Sequence, residues 1–508
     1  MRRTVALAAA LVSTMAYAQI GEKANGYRGI WYMNQPTKDE FVYKYSGGLG
    51  TYCAKHIPQA IYSKEANKTF FVYGGTVEGK NELLEMVSCY DHATGTVPRP
   101  TILMNKGTSD AHDNPVIAMD DDGFIWVFAS SHGTSRPSYI FKSTSPFDIQ
   151  SFNQVLETNF SYPQPWHIKE KGFLFLHTYY AGGRGLYWHT STDGMNWTDR
   201  KLLAHIQEGH YQISWPYGDR VGTAFNYHPT AYRGDPKAKG LNWRTNLYYI
   251  ETPDMGATWR TVDGKTVETP INDPQSPARV HDYEAEDTLV YLKDLNYDAQ
   301  GRPIILHVTS HGWQPGPDSG PREVRIAHWN GNTWDLRTIA PVDHNYDMGS
   351  LYVEDDGTWR IIFPTEPGPQ PFGGGGEIAV WTSKDNGAKW ELARQATRNS
   401  PRNHMYCRRP VNAHPDFYAF WADGHSRQPS ESNLFFCDKT GENVFRLPPV
   451  MEGDSAKPDP VSEASATAFI PPVVSKKSIS AMIYGGSSHD PNCLCGRGQD
   501  ETAMLNNF

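Results

Sequence analysis

Two histidines bracket one strand-like segment. Ala111-His112-Asp113-Asn114-Pro115 precedes Phe124-Ile125-Trp126-Val127-Phe128, and Ser131-His132-Gly133 follows it. Both histidines sit beside turn residues rather than inside the apolar run, so both can face the same end of one strand-turn unit. Further along, Tyr179-Tyr180-Ala181-Gly182-Gly183-Arg184, Phe225-Asn226-Tyr227-His228 and Leu241-Asn242-Trp243-Arg244 each place a Tyr or Arg where a strand meets a loop. Taken singly, each residue is as well explained by packing at a sheet edge. Taken together, His, Tyr and Arg without a clear pair of carboxylates disfavour glycoside hydrolysis, which usually needs two acids at fixed separation. They suit elimination at a uronic acid. An Arg offsets the sugar carboxylate bidentately and makes the C5 proton acidic. A neutral His takes that proton near pH 7, and a Tyr protonates the oxygen leaving C4.

The elements that must position these groups are short strands. Helical periodicity is scarce, and runs such as Phe70-Phe71-Val72-Tyr73 and Trp359-Arg360-Ile361-Ile362-Phe363 are punctuated by Gly, Asn and Asp. Thr252-Pro-Asp-Met-Gly-Ala-Thr-Trp259 recurs as Ser383-Lys-Asp-Asn-Gly-Ala-Lys-Trp390, and one residue shorter as Ser191-Thr-Asp-Gly-Met-Asn-Trp197. These are Asp-box turns: hydroxyl and carboxylate bond the turn backbone, Gly takes a special φ, and Trp packs between blades. A second repeat joins Gly123–His132 to Gly301–His311. Repeats of this kind build an all-β protein, a β-propeller; roughly 430 residues at about 60 per blade give seven blades.

Composition narrows the class. The 508 residues include 15 Trp, 28 Tyr and 21 Phe, too many for a disordered chain, and 20% charged residues, too few for a coiled coil. A formal charge of −9 without a dense basic tract argues against nucleic acid as partner. Arg2 and Arg3, the apolar stretch 4–15 and Ala16-Tyr17-Ala18 read as a cleaved signal peptide over 1–18, hence an exported protein that does not span a membrane. The propeller is expected over 19–457, as a monomer. A polar strap or disordered tail follows over 458–508.

An oxidising compartment permits isolated disulfides. Cys53 with Cys89, and Cys407 with Cys437, are the expected pairs, being at the edges of neighbouring strand-like segments. Cys493 and Cys495 lie too close in sequence to pair comfortably. Asn67, Asn159 and Asn196 occupy glycosylation sequons. Asp343, His344 and Asp347, or His281 and Asp282, are candidate ligands for a structural calcium, although no calcium-loop pattern is present. The elimination chemistry itself requires no cofactor.

A sialidase would carry an early Arg-Ile-Pro, where this chain has Tyr27-Arg-Gly-Ile. Tyr27-Arg-Gly-Ile-Trp-Tyr, Lys44-Tyr-Ser-Gly-Gly-Leu-Gly-Thr-Tyr, Ala111-His-Asp-Asn-Pro, Ser131-His-Gly-Thr-Ser-Arg-Pro and Asp343-His-Asn-Tyr-Asp-Met-Gly-Ser-Leu-Tyr instead resemble the BNR-4 group of seven-bladed propellers, over residues 25–455. That group contains ulvan lyases and L-rhamnose-α-1,4-D-glucuronate lyases, the latter grouped with rhamnosidase-like relatives. The resemblance implies a secreted carbon–oxygen lyase that breaks the bond between L-rhamnose and C4 of D-glucuronate in an acidic polysaccharide. Exo-action on rhamnose-capped arabinogalactan or gum is the favoured form. Endo-cleavage of ulvan, α-L-rhamnosidase activity on the same bond, and non-catalytic glycan binding are the alternatives. Residue by residue, the group's His pair matches His112 and His132. Its Tyr and Arg match Tyr227 and Arg244, or Tyr179 and Arg184. Either Arg would hold the carboxylate, either His would act as base, and Tyr227 as acid. The rhamnosidase-like relatives use a His on the opposite face, for which His56 is the match.

Overall fold

The computed structural model describes residues 20–34, 40–41, 44–51, 53, 55–229 and 242–461. The expected signal peptide and nearly all of the polar tail, including Cys493 and Cys495, lie outside the described residues. Seven antiparallel blades follow one another in chain order over 60–105, 115–158, 161–204, 212–281, 289–342, 350–395 and 403–446. The chain is therefore a seven-bladed β-propeller. Innermost strands such as Ser161–Ile168, Leu289–Tyr297 and Asn403–Arg408 are almost wholly buried, whereas the outer strand Glu391–Gln395 is mostly exposed. The continuous apolar runs of the sequence fall on second strands such as Ile125–Ala129 and Pro303–Ser310, which are buried throughout, whereas the outer strands read as polar.

Each blade is built from its own consecutive strands, so none is shared between the first and last blades. Both chain ends tie that seam. Glu22–Lys23 extends blade 1 beside Thr101 and Ile102, and Asp459–Pro460 extends blade 7 beside Phe445 and Arg446. The last pairing thus reaches past the expected end of the propeller at 457. Between them, the Tyr27 amide donates to the Pro448 carbonyl, Gly29 to Ser432 and Ile30 to Gly74. Tyr27 is fully buried, and its hydroxyl meets Ser88 Oγ at 2.6 Å and the Pro98 carbonyl at 2.5 Å. The hairpin of Trp31–Asn34 and Lys44–Gly47 lies against blades 1, 2 and 7, where the Asn114 amide donates to the Gly47 carbonyl and Tyr45 to Asp423. From there the chain enters the centre of the ring, where Cys53, Lys55 and His56 are buried.

The Asp boxes form as expected at the ends of third strands. Ser191 Oγ accepts from the Gly194 amide at 2.8 Å, and Trp197 Nε1 donates to the Gly194 carbonyl. The longer boxes place two successive residues in the left-handed region, Met255 and Gly256 or Asn386 and Gly387, where the short one uses Gly194 alone.

The expected disulfides do not form; all four described cysteines are buried free thiols. Cys407 and Cys437 lie on Asn403–Arg408 and Leu434–Cys437, which flank Ala419–Gly424 on opposite sides. Two strand spacings separate them by about 9.6 Å, beyond the roughly 4.4–6.8 Å that a disulfide spans. Cys53 packs among the tyrosines at the ring centre, while Cys89 packs with Phe70, Ile117 and Phe141. Burial pushes the Cys89 thiol up to about 12. Asn159 is only partly exposed. Its amide nitrogen donates to Ser131 Oγ and to the Gly133 and Arg136 carbonyls, which fixes the His132 loop. Asn196 is exposed within an Asp box, and Asn67 occupies a left-handed turn position.

Candidate functional site

Innermost strands begin, and second strands end, at the same face of the ring. Ala129 pairs with Pro115, so the segments carrying His112 and His132 meet there. Ala111–Asp113 forms a single 3-10 turn whose N-cap is Asp110, and the Asp110 carboxylate accepts from the His112 amide at 3.0 Å. The same carboxylate reaches both imidazoles: His112 Nδ1 at 2.6 Å and His132 Nδ1 at 2.7 Å. The two rings stack with centroids 3.8 Å apart and planes 11° from parallel. Arg136 anchors this pair from behind, donating to Asp113 at 2.8 and 2.9 Å and to Asp110 at 3.4 Å. Asp113 in turn accepts from the His132 amide at 2.9 Å.

The electrostatics follow from this packing. Burial alone would raise Asp110, yet the two imidazoles beside it outweigh that and hold its carboxyl well below the usual range. Burial, reinforced by the neighbouring His132, keeps the His112 ring below its ordinary value. A carboxylate that accepts from both Nδ1 atoms orients both Nε2 atoms away from itself and makes Nε2 the basic nitrogen of each ring. His132 is the more open of the two, with its side chain 17% exposed against 0% for His112.

A line of tyrosines joins the histidines to the arginines. Tyr162 packs edge-on to His112 at 5.9 Å and to Tyr211 at 5.4 Å, and Tyr180 lies 6.4 Å from His132. Arg184 donates to the Tyr211 hydroxyl at 3.0 Å, and the Arg244 guanidinium sits 4.3 Å over the same ring. Burial pushes the Tyr180 hydroxyl up, so it is protonated at neutral pH. His112, His132, Arg184 and Arg244 are thus gathered in one place from blades 2, 3 and 4.

The two tyrosines expected with them are not. Tyr227 faces the blade interior, packs on Tyr248 and donates to Glu284. Tyr179 turns to the other side of its strand from Tyr180, against Tyr187 and Arg200. Successive strand residues alternate faces, and Tyr180 is the one that points inward. His56 is not on an opposite face either. Its Nε2 lies 2.9 Å from the His112 carbonyl and its ring 5.5 Å from Tyr162, beneath the same site. Burial presses its ring down to about 3. Asp110, Tyr162, Tyr180 and Tyr211 are the site residues that the sequence reasoning missed. For Asp110 a signal existed, an acid two residues before His112 at a turn.

Among the described residues, the groups whose donor atoms converge as metal ligands would are Asp110, His112 and His132, and separately His92, His414 and Asp416. The calcium candidates make hydrogen bonds within the protein. Asp347 accepts from the His344 and Gly375 amides, Asp343 from the Phe372 amide, Asp282 from Arg279, and His281 pairs with Glu286.

Comparison with known proteins adds to this geometry. The model of a family described as "BNR repeat-containing family member" matches residues 87–342. An ulvan lyase of Nonlabens ulvanivorans is 20% identical over 426 residues, covering 75% of this chain and 86% of that protein. A second relative, Ulvan Lyase-PL25 of Pseudoalteromonas sp. (strain PLSV), is 20% identical over 317 residues, which span 54% of this chain and 64% of that relative. Among solved structures, a PL25 ulvan lyase bound to -[GlcA(1-4)Rha3S]- superposes with a TM-score of 0.66 at 17% identity, over 83% of this chain and 96% of that one. Its likeness is one of fold.

Proposed function

The chain belongs to the BNR repeat-containing family, and from that premise we propose that it is an exported polysaccharide lyase cleaving the L-rhamnose-α-1,4-D-glucuronate bond by β-elimination. The observation that carries this reading is the stacked His112–His132 pair on Asp110, facing a tyrosine and two arginines. Relatives that are ulvan lyases support the same class of reaction.

The roles follow from position. Arg184 and Arg244 face the uronate carboxylate and stabilise the charge that develops as C5 loses its proton. His132 Nε2, on the more open ring, takes that proton. The electron pair left at C5 forms the C4=C5 double bond and the C4–O bond breaks. Tyr180 gives its proton to the departing oxygen. His112 lies beneath His132 and shares its carboxylate. Rhamnose leaves with the bridging oxygen, and an unsaturated glucuronate remains on the glycan. The step draws on no cofactor.

Exo-action is supported by how little of the site is open: Tyr180, Arg184 and Arg244 are 6%, 4% and 2% exposed. A single terminal rhamnose suits so narrow an approach. Endo-cleavage of ulvan is the second reading, favoured by the identity of the relatives. Product analysis separates them. On rhamnose-capped arabinogalactan the expected products are free rhamnose and an ultraviolet-absorbing uronate. Oligosaccharides from ulvan alone would establish the endo form, rhamnose without the chromophore a hydrolase, and glycan binding without turnover a lectin-like propeller. Tyr180→Phe should lower kcat by about 10²–10⁴-fold while Tyr227→Phe leaves it unchanged; the reverse order would remove Tyr180 as the acid.

A further inference from the structure

The seam between blades 7 and 1 closes at the far face as well. There the Val411 amide donates to the Ala60 carbonyl and the Tyr62 amide to the Val411 carbonyl, both at 2.9 Å. Immediately beside this contact, His92 follows the third strand of blade 1, Leu84–Asp91, and His414 and Asp416 lie in the loop before Ala419–Gly424 of blade 7. We propose that His92, His414 and Asp416 form a binding site for a zinc-class divalent cation that clasps blade 1 to blade 7.

Four observations carry the proposal. The donor atoms of all three side chains lie within 4.8 Å of one another. His92 Nε2 is 2.8 Å from Thr69 Oγ1, so with its N–H given to that hydroxyl the other nitrogen keeps a lone pair. That nitrogen, Nδ1, is buried and has no hydrogen-bond partner among the described residues. His414 Nδ1 accepts the Asp416 amide at 3.2 Å and lies 3.8 Å from the Asp416 carboxylate, so a metal ion at this nitrogen takes the place of a long amide contact and has the carboxylate beside it.

Two imidazoles and a carboxylate are a borderline donor set that suits zinc. A tetrahedral ion about 2.0 Å from each ligand spaces them about 3.3 Å apart, a closure that the exposed Asp416 can supply. The rings of Tyr62 and Tyr90 wall the site at 5.3 and 4.9 Å from His92. In the other converging group, Asp110, His112 and His132, both Nδ1 atoms are already turned to the Asp110 carboxylate and the Arg136 cation lies 3.4 Å from it.

The full chain, stripped with a chelator, should take up one equivalent of Zn2+ by calorimetry, and Co2+ in its place should give the visible bands of a tetrahedral ion. Metal should raise the unfolding midpoint and leave kcat unaltered. His414→Asn should abolish uptake, and Asp416→Asn, at an exposed position that spares folding, should weaken it by about tenfold or more; Asp110→Asn should leave it intact. Absence of stoichiometric uptake, or uptake that survives both loop variants or disappears with Asp110→Asn, would overturn the proposal. Apart from kcat, none of these readouts depends on which polysaccharide the protein cleaves.

Discussion

Asp110 touches no sugar in the proposed reaction, yet both imidazoles depend on it. It is a positioning residue, and its replacement separates positioning from binding. In Asp110→Asn one amide oxygen still accepts from one ring, but the amide nitrogen must face the other ring and donate to it. That ring then carries its proton on Nε2, the atom required to be a base. The expected result is a loss in kcat of about 10²-fold or more with KM little changed, together with a displaced acid limb in the pH–rate profile. A variant with wild-type kcat would remove Asp110 from the mechanism. The site was partly legible at this scale. His112, His132, Arg184 and Arg244 stood out as polar groups at strand ends, and all four converge. Tyr179 was mistaken for its neighbour because strand parity near a loop depends on register, which one sequence does not state. Tyr227 reads as a site residue because it sits at an aromatic strand end; only the sheet shows that it points at Glu284.

The blade-to-blade contacts are where the repeats act. Gly256 has φ +83°, and a Cβ there would lie 2.1 Å from Nε1 of Trp188 in the preceding blade. Gly264 has nearly the same φ, +85°, with nothing within 4 Å. Comparing alanine at the two positions therefore isolates packing from backbone strain. Gly264→Ala should lose about 1 kcal/mol of unfolding free energy, and Gly256→Ala about 2–4 kcal/mol because a buried overlap adds to the strain. Urea unfolding midpoints measure both; equal losses would show that the indole moves aside freely. Turnover per folded molecule should not change, because these turns lie at the face opposite the histidines. The turn chemistry was legible because it repeats at fixed spacing. Pairing the cysteines was not, because spacing along the chain is silent about sheet order: Cys407 and Cys437 sit in one blade with a strand between them.

Over the whole molecule, two effects of acid oppose each other. The net charge of −9 predicts that protons relieve self-repulsion and stabilise the ring. The buried histidines predict the reverse. His56, His210 and His307 are all pressed down to about 3 by burial. Each is also tied in place: His56 to the His112 carbonyl, His210 to the Asn226 carbonyl and the Ile206 amide, His307 to the Tyr283 hydroxyl. In the unfolded chain they titrate near 6.5, so between about pH 3 and 6.5 the unfolded state binds more protons than the folded one. The stability they permit is complete above 6.5 and is lost as pH falls. Each contributes a slope of about 1.4 kcal/mol per pH unit. Two units below 6.5, the three together remove about 8 kcal/mol, which is comparable with the entire stability of a typical fold. The buried term should dominate, since surface repulsion is weakened by salt and these rings are not reached by it. Thermal unfolding should show a midpoint that falls steeply from pH 6.5 towards 4.5, at high as well as low ionic strength, and His307→Gln should make the loss of stability shallower by about 1.4 kcal/mol per pH unit. A midpoint that stays level or rises on acidification would mean that surface charge, not the buried rings, sets the acid limit of the propeller.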